Sequence, residues 1–413
     1  MWLPIPADTL YPADHLPWGL ARPKAHALRP RPVVRVGDHV VDLAIIGATE
    51  RDLPERVRNA LMQETLNCLM GLGEEAWRAV REDVQQFLER DSVDAATRQR
   101  AIHRLADVDV LLPACIGDYT DFYSSREHAT NVGVMFRGAE NALNPNWLHL
   151  PVGYHGRASS VVASGHPVVR PCGQTMPPSA TAPVFGPTRE LDIEVEMGVF
   201  IGPGNATGTS IAADDAMRHV FGLALVNDWS ARDIQRWEYV PLGPFLGKSF
   251  LTSVSPWIVS PDALASARVA APEQSPDVLP YLRESRRETF AIAITATLTT
   301  VDGEAVTLAE TDFRHLYWTP AQQIAHHTVN GCNLRAGDLL ASGTISGADE
   351  TSLGSLLERT WKGTRPIVLP SGATRTWLED GDTVTLSATA TRADGSRIGF
   401  GECIGTVLPA REG

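Results

Sequence analysis

Cysteine is scarce in this chain, with five in 413 residues, and the number is odd. Cys68, Cys115, Cys172, Cys332 and Cys403 include no Cys-x-x-Cys pair. That pattern argues against a disulfide framework and against a zinc site. A basic excess is missing too. Thirty-six Lys plus Arg stand against 49 Asp plus Glu, so the formal net charge is −13. Nucleic-acid binding needs a basic face and is disfavoured, whereas an acidic balance suits the binding of cations. No apolar run approaches the roughly 20 residues that span a bilayer. Residues 1–20 lack a basic segment followed by an apolar run, so no signal peptide is read there and the expected location is cytoplasmic. Internal repeats, low-complexity tracts and a Gly-x-Ser-x-Gly nucleophile elbow are all absent.

What remains is an ordinary globular composition, 43% hydrophobic and 21% charged, which excludes disorder as the main theme. The length allows roughly two or three domains. The first 30 residues are rich in proline and read as irregular chain. Val33 to Leu43 reads as a hairpin, two β-branched runs flanking Gly37-Asp38, with glycine at the first turn position suiting type II′. From Leu53 to about Asp107, Leu61, Leu66, Leu69, Trp77, Val80 and Phe87 recur at helical spacing, which predicts two or three helices. A first domain over residues 1–112 and a second over 113–413 follow from the change of pattern near Leu112-Pro113. The second part is dense in Val, Thr and Gly in short runs and reads as β-rich. Its one clear helix is Pro320 to Val329, with Thr319 as N-cap. The fold class expected is mixed, mainly β.

The chemistry-bearing stretches lie in the second part. Leu191 to Met197 alternates strictly, so as a strand it places Asp192, Glu194 and Glu196 on one face. Such carboxylates repel one another unless something positive sits between them. The face is either solvated or a site for a hard, oxygen-loving cation. Phe221 to Val226 reads as a buried strand ending in Asn227-Asp228, and a helical segment follows to Tyr239. Arg232, Gln235 and Tyr239 share one face of that segment. Arg232 has the bland alternative of pairing with Asp228 or a neighbouring acid. Lys248 lies in a Gly/Pro-punctuated loop, where a lysine is usually solvated. Ser124 and Glu127 have capping-box spacing, so a helix should begin there with His128 in its first turn. The helix dipole disfavours protonated histidine there, leaving a ring nitrogen available as a base. By itself His128 also reads as a surface or satisfied histidine. Asp121 and Tyr123 would point the same way in an extended segment. Gly343-Thr344-Ile345-Ser346-Gly347 offers backbone N–H groups to an anion. His326 and His327 point to different sides of a helix and read as structural.

Asp121 to Asn131, Leu150 to Ser160, Asn227 to Gln235, Pro241 to Phe250 and Asn330 to Gly347 together resemble the fumarylacetoacetate hydrolase family. The resemblance runs from about Leu112 to Val407. It implies a small SH3-like N-terminal domain, a β-roll catalytic domain and a homodimer. It also implies hydrolysis of the β-diketo acid 4-fumarylacetoacetate to fumarate and acetoacetate, the last step of tyrosine and phenylalanine catabolism. Asp121, Glu194, Glu196 and Asp228 would hold calcium. Asp228 would also face magnesium near Lys248 and Thr252, although Leu251 stands where the family pattern has a small residue. His128 would be the general base, oriented by Glu358. Arg232, Gln235 and Lys248 would stabilise the oxyanion, and Tyr123, Arg137, Tyr154, Gln235, Tyr239 and Thr344 would bind substrate. An acylpyruvate hydrolase, an oxo-acid decarboxylase or isomerase on the same scaffold, and a cation-binding module without catalysis are the alternatives.

Overall fold

The computed structural model describes residues 2–25, 29–49, 53–178 and 180–411. Met1, the start of the first domain as read from sequence, and Gly413, the end of the second, lie outside the described residues. The N-terminal part forms a five-stranded antiparallel sheet, in the order Ile102–Arg104, His39–Asp42, Arg31–Val36, Trp18–Pro23, Val108–Leu111. The expected hairpin is present, with Gly37 alone of its turn pair at positive φ, +55°. The first 30 residues are not all irregular. Trp18–Pro23 is a central strand of this sheet because Trp18 and Leu20 alternate into the core and it pairs on both edges. Helices in this part outnumber the two or three expected. Leu43–Thr49, Glu55–Leu61, Asn67–Met70, Glu74–Glu89 and Ala95–Ala101 are all helical. The apolar positions give one helical phase, but Gly73, Asp94 as an N-cap, and the break after Leu61 cut it into short pieces.

The second part is mainly β, as expected. A seven-stranded sheet runs Gly153–Gly156, Tyr119–Phe122, Leu339–Ala341, Val195–Ile201, Val220–Asp228, Thr252–Val254, Val161–Ala163. A five-stranded sheet runs Ala305–Asp312, Ile292–Thr299, Thr383–Thr391, Arg397–Leu408, Val168–Val169. One core lies between them, with Met197, Leu223 and Leu225 facing Ile294, Leu298, Leu386 and Phe400. The inward residues of Ile292–Thr299 and Thr383–Thr391 alternate with half-exposed ones, the period-two signature of a strand buried on one face. The other face of the seven-stranded sheet is also covered. Phe200, Phe221, Ala224 and Leu339 pack into the same cluster as Trp18, Trp77 and the N-terminal helices. Val195–Ile201 and Val220–Asp228 are therefore buried on both faces. Polar groups on those two strands have no water to solvate them and must find partners. The Pro320–Thr328 helix carries the expected Thr319 cap with a full capping box.

Candidate active site

The seven-stranded sheet places the acidic groups. Asp121 lies on Tyr119–Phe122 and pairs across the ladder with Tyr154 on one side and Ala341 on the other. Asp228 ends Val220–Asp228 and sits opposite Thr252. Glu196 lies on the strand between them. The stretch 191–197 is not one strand. Leu191–Asp192 pairs with Ser230–Ala231, the ladder breaks at Ile193-Glu194, and Val195–Ile201 resumes it. The solvated-face reading fails, because Asp192, Glu194 and Glu196 are all buried. Glu194 and Glu196 turn toward Asp121 and Asp228, while the break sends Asp192 elsewhere.

Ligand oxygens of Asp121, Glu194, Glu196 and Asp228 lie within 4.8 Å of one another, and all four residues are buried. Asp121 Oδ1 and Glu196 Oε1 are buried without a hydrogen-bond partner. Burial, reinforced by neighbouring carboxylates, pushes both groups well above the usual carboxyl range. Glu194 goes the other way. Burial alone would raise it, but Lys248 and Arg232 pull it below its ordinary value. Four converging hard oxygens, two of them unpartnered, fit a divalent cation.

Lys248 is not a solvated loop lysine. It sits in the short Leu246–Ser249 helix, buried, with Nζ donating to Glu194 Oε2 at 2.5 Å and Asp228 Oδ2 at 2.9 Å. Burial by itself would lower Lys248, but Asp228 and Glu194 raise it above its ordinary value. Asp228 Oδ1 accepts from Thr252 Oγ1 at 2.6 Å, and Oδ2 also accepts from the Tyr154 hydroxyl at 3.1 Å. The Lys248 and Thr252 side chains thus both act as donors to Asp228. Leu251 is buried in the main core beside them. Arg232 opens the Arg232–Glu238 helix. It pairs with Asp192 and Glu194, at 2.7 and 2.8 Å, and not with Asp228. Its Nη1 donates to Gln235 Oε1 at 3.2 Å. That bond leaves the Gln235 amide N–H groups available to the adjoining space.

The base-like pair is complete. His128 Nδ1 meets Glu358 Oε2 at 2.6 Å, although 230 residues separate them in the chain. The helix bearing His128 is Arg126–Arg137, and its cap is Ser125, one residue later than expected. Ser125 Oγ accepts from the His128 amide, while Ser124 is buried and accepts from Gln323. Glu358 is held in the same way, with Ser355 capping the Leu356–Arg359 turn and accepting from the Glu358 amide. Both residues therefore occupy the third position of a serine-capped helix. Glu358 also accepts from Ser346 Oγ and Ser355 Oγ, each at 2.9 Å, and from Asn131 Nδ2 at 3.0 Å. Burial would raise Glu358, but the His128 partner and these donors hold it below the usual carboxyl range. With Nδ1 engaged, Nε2 is the ring nitrogen left for chemistry. Asn131, Ser346 and Ser355 are supporting residues that sequence reasoning missed. Only Ser355-x-x-Glu358 carried a readable signal, the capping-box spacing.

A cavity of about 470 Å³ collects these groups. Asp121, Tyr123, His128, Tyr154, Glu194, Arg232, Gln235, Lys248 and Thr344 line it, and Arg137 and Tyr239 stand at its exposed rim with Phe136 and Leu242. Tyr123 lies edge-on to His128 at 5.1 Å. Glu358 sits behind His128 rather than in the cavity. Asp228 and Thr252 face a second cavity of about 470 Å³ that shares Tyr154 and Lys248. The Gly343–Gly347 stretch is not a nest of free amides. Gly343 N–H donates to Glu196, Ile345 N–H to Val195 and Ser346 N–H to Ser125. What it presents instead is the Thr344 hydroxyl, buried and unpartnered.

Residues 118–408 match the family model described as fumarylacetoacetate hydrolase C-terminal, and 14–113 match fumarylacetoacetase N-terminal. The chain is 51% identical to the fumarylacetoacetase of Mus musculus over 416 residues, covering 99% of each chain. It is 51% identical to that of Homo sapiens over 415 residues, and 46% identical to that of Arabidopsis thaliana over 416. Among solved structures it resembles the fumarylacetoacetate hydrolase from Exiguobacterium antarcticum, with a TM-score of 0.54 at 19% identity, covering 96% of this chain and all of that one. A maleylpyruvate hydrolase from Sphingobium has the same fold at a TM-score of 0.51 and 17% identity, over 95% of this chain and all of that one. On both its N-terminal and C-terminal parts, the chain belongs to the fumarylacetoacetate hydrolase family.

Proposed function

We propose that this protein is a hydrolase that cleaves the carbon–carbon bond of 4-fumarylacetoacetate to give fumarate and acetoacetate. It would thereby close tyrosine and phenylalanine breakdown. The observation that carries this reading is 51% identity across 99% of the chain to proteins named fumarylacetoacetase. The geometry supplies a route. Water must attack a ketone, and a carbanion must then leave. His128 Nε2 takes the water proton, the Glu358 carboxylate at Nδ1 stabilises the imidazolium that results, and that proton then passes to the departing carbanion. Negative charge develops on the attacked carbonyl oxygen. Arg232, Gln235 and Lys248 bring donors and positive charge to it, an effect typically worth about 3–4 kcal/mol per well-placed donor. Tyr123, Tyr154 and Thr344 present hydroxyls to the substrate, with Arg137 and Tyr239 at the mouth. A hard cation held by Asp121, Glu194, Glu196 and Asp228 would supply Lewis-acid polarisation of the diketone oxygens.

Calcium is our first assignment for that cation, since four carboxylates suit an ion that takes six to eight oxygens. Magnesium is our second assignment, beside Asp228 near Lys248 and Thr252, where the Thr252 hydroxyl donates to Asp228 and keeps its oxygen lone pairs for a cation. We read residues 1–112 and 113–413 as the two domains. A homodimer belongs to the same reading, because Leu242 (95% exposed) and Phe245 (68%) are exposed large apolar side chains in one short segment, the kind of surface copies bury. A single monomeric species in sedimentation would remove it. Five free cysteines suit the reducing cytoplasm. Among the described residues, no helix is long and apolar enough to cross a membrane.

The test is loss of fumarylacetoacetate absorbance after EDTA treatment and after adding back calcium, magnesium or manganese, with acetoacetate measured as product. Metal-dependent loss with acetoacetate appearing is expected. Faster turnover of a simple acylpyruvate than of fumarylacetoacetate would replace this reading with the acylpyruvate hydrolase.

A further inference from the structure

Asp192 belongs to neither the cation cluster nor the cavity lining, yet it is fully buried and saturated with donors. Its Oδ2 accepts from Arg232 Nε at 2.7 Å and from the Leu357 amide at 3.0 Å. Its Oδ1 accepts from the Leu356 amide at 2.7 Å and from the Ile193 amide at 2.7 Å. Leu356 and Leu357 are the first two residues of the turn whose third residue is Glu358. One carboxylate thus grips both halves of the reaction machinery. On one side it fixes the guanidinium that faces the cavity. On the other it fixes, through two backbone amides, the turn that carries the partner of His128. These two segments are more than 120 residues apart in sequence, at Arg232 and Leu356.

We propose that Asp192 is a positioning residue that sets the distance between the His128–Glu358 pair and the Arg232 cation. The proposal rests on the reading of those groups as base and oxyanion donor. A tetrahedral intermediate needs the base on one side of the attacked carbon and the cation at its oxygen. Both must be held within a fraction of an ångström, because a displacement of about 1 Å costs roughly 100-fold in rate. Charge suits the task. The carboxylate accepts from all four donors, whereas an amide at the same place offers one acceptor oxygen and turns an N–H₂ either toward the guanidinium and the Leu357 amide or toward the Leu356 and Ile193 amides.

Asp192→Asn keeps the shape and exchanges an acceptor for a donor. The expected result is a fall in kcat of about 100-fold, with KM changed by less than about threefold and terbium binding to the carboxylate cluster retained. Asp192→Asn should also be non-additive with Arg232→Gln and with Glu358→Gln, since each partner already removes part of what Asp192 positions. A second readout needs no turnover. The short His128 Nδ1–H···Glu358 bond should give a far-downfield proton resonance that shifts or broadens in Asp192→Asn. If the folded variant keeps both that resonance and an unchanged kcat per folded protein, the positioning role is overturned. Fully additive effects with both partners would overturn it too. An inactive wild-type protein would refute the substrate assignment, and the resonance would still decide the role of Asp192.

Discussion

Replacing Glu358 by Gln should remove most turnover while leaving the fold and the cation cluster in place. The four donors around this carboxylate make the argument quantitative. Two are serine hydroxyls, which rotate to suit an amide, so the fold tolerates the change. The His128 Nδ1–H does not rotate. The glutamine oxygen therefore takes the Oε2 place, where His128, Ser346 and Ser355 donate, and its N–H₂ faces Asn131, whose amide turns over to accept, so His128 keeps its tautomer. What is lost is the charge partner of the imidazolium formed on taking the water proton. At a charge separation near 4 Å and an effective dielectric of about 20, that partner contributes about 4 kcal/mol. The rate loss from the missing charge is then about 10³-fold. The assay is kcat from fumarylacetoacetate absorbance, with terbium luminescence reporting the cluster and a thermal melt reporting the fold. The reasoning is refuted if Glu358→Gln melts normally, binds terbium normally and retains kcat within tenfold of wild type.

Gly133→Ala should destabilise the protein although alanine favours helix by about 1 kcal/mol. A Cβ there would come 1.7 Å from the Ala142 carbonyl oxygen, a backbone atom beside the helix that carries His128, so a net cost of about 2–3 kcal/mol is expected. A thermal midpoint equal to or above wild type would contradict it. Thr344→Val should separate stability from binding. Losing an unpartnered buried hydroxyl leaves the melt unchanged or slightly raised, while KM rises about tenfold for the lost substrate hydrogen bond. An unchanged KM would remove Thr344 from the substrate contacts. Glu284, which accepts from the Thr319 hydroxyl at 2.7 Å, is raised by burial to about 7. Its folded value lies above its unfolded one, so the folded state binds the extra proton. Stability from this group is full below about pH 4.5 and is lost as pH rises toward 7, by up to about 3 kcal/mol. Glu284→Gln should flatten that part of the stability profile, and an identical slope in the variant would show that other groups set it.

The strands and helices that could be read from sequence are those whose signals are local. The Thr319 cap and the Gly37-Asp38 turn each involve residues within a few positions of one another, and both came out as expected. Asp228 was also visible, because an apolar run that stops at an acid marks a buried strand end. Period-two counting misled at Ile193-Glu194. It cannot foresee a break in the ladder, and the break is what separates Asp192, bound to Arg232, from Glu194 and Glu196 at the cation cluster. Lys248 looked like loop because its partners lie 54 and 20 residues away. The covering of the sheet's second face explains why the solvated-face reading failed. Once the N-terminal helices bury Val195–Ile201 and Val220–Asp228 from outside, the carboxylates on those strands are removed from water as well. Each then needs a donor or a cation, and Lys248, Arg232 and the Gly343 amide supply only part of that need. The unpartnered oxygens of Asp121 and Glu196 are the remainder. A chain that places charged residues where composition would place apolar ones accepts a stability cost there, and such departures mark functional sites.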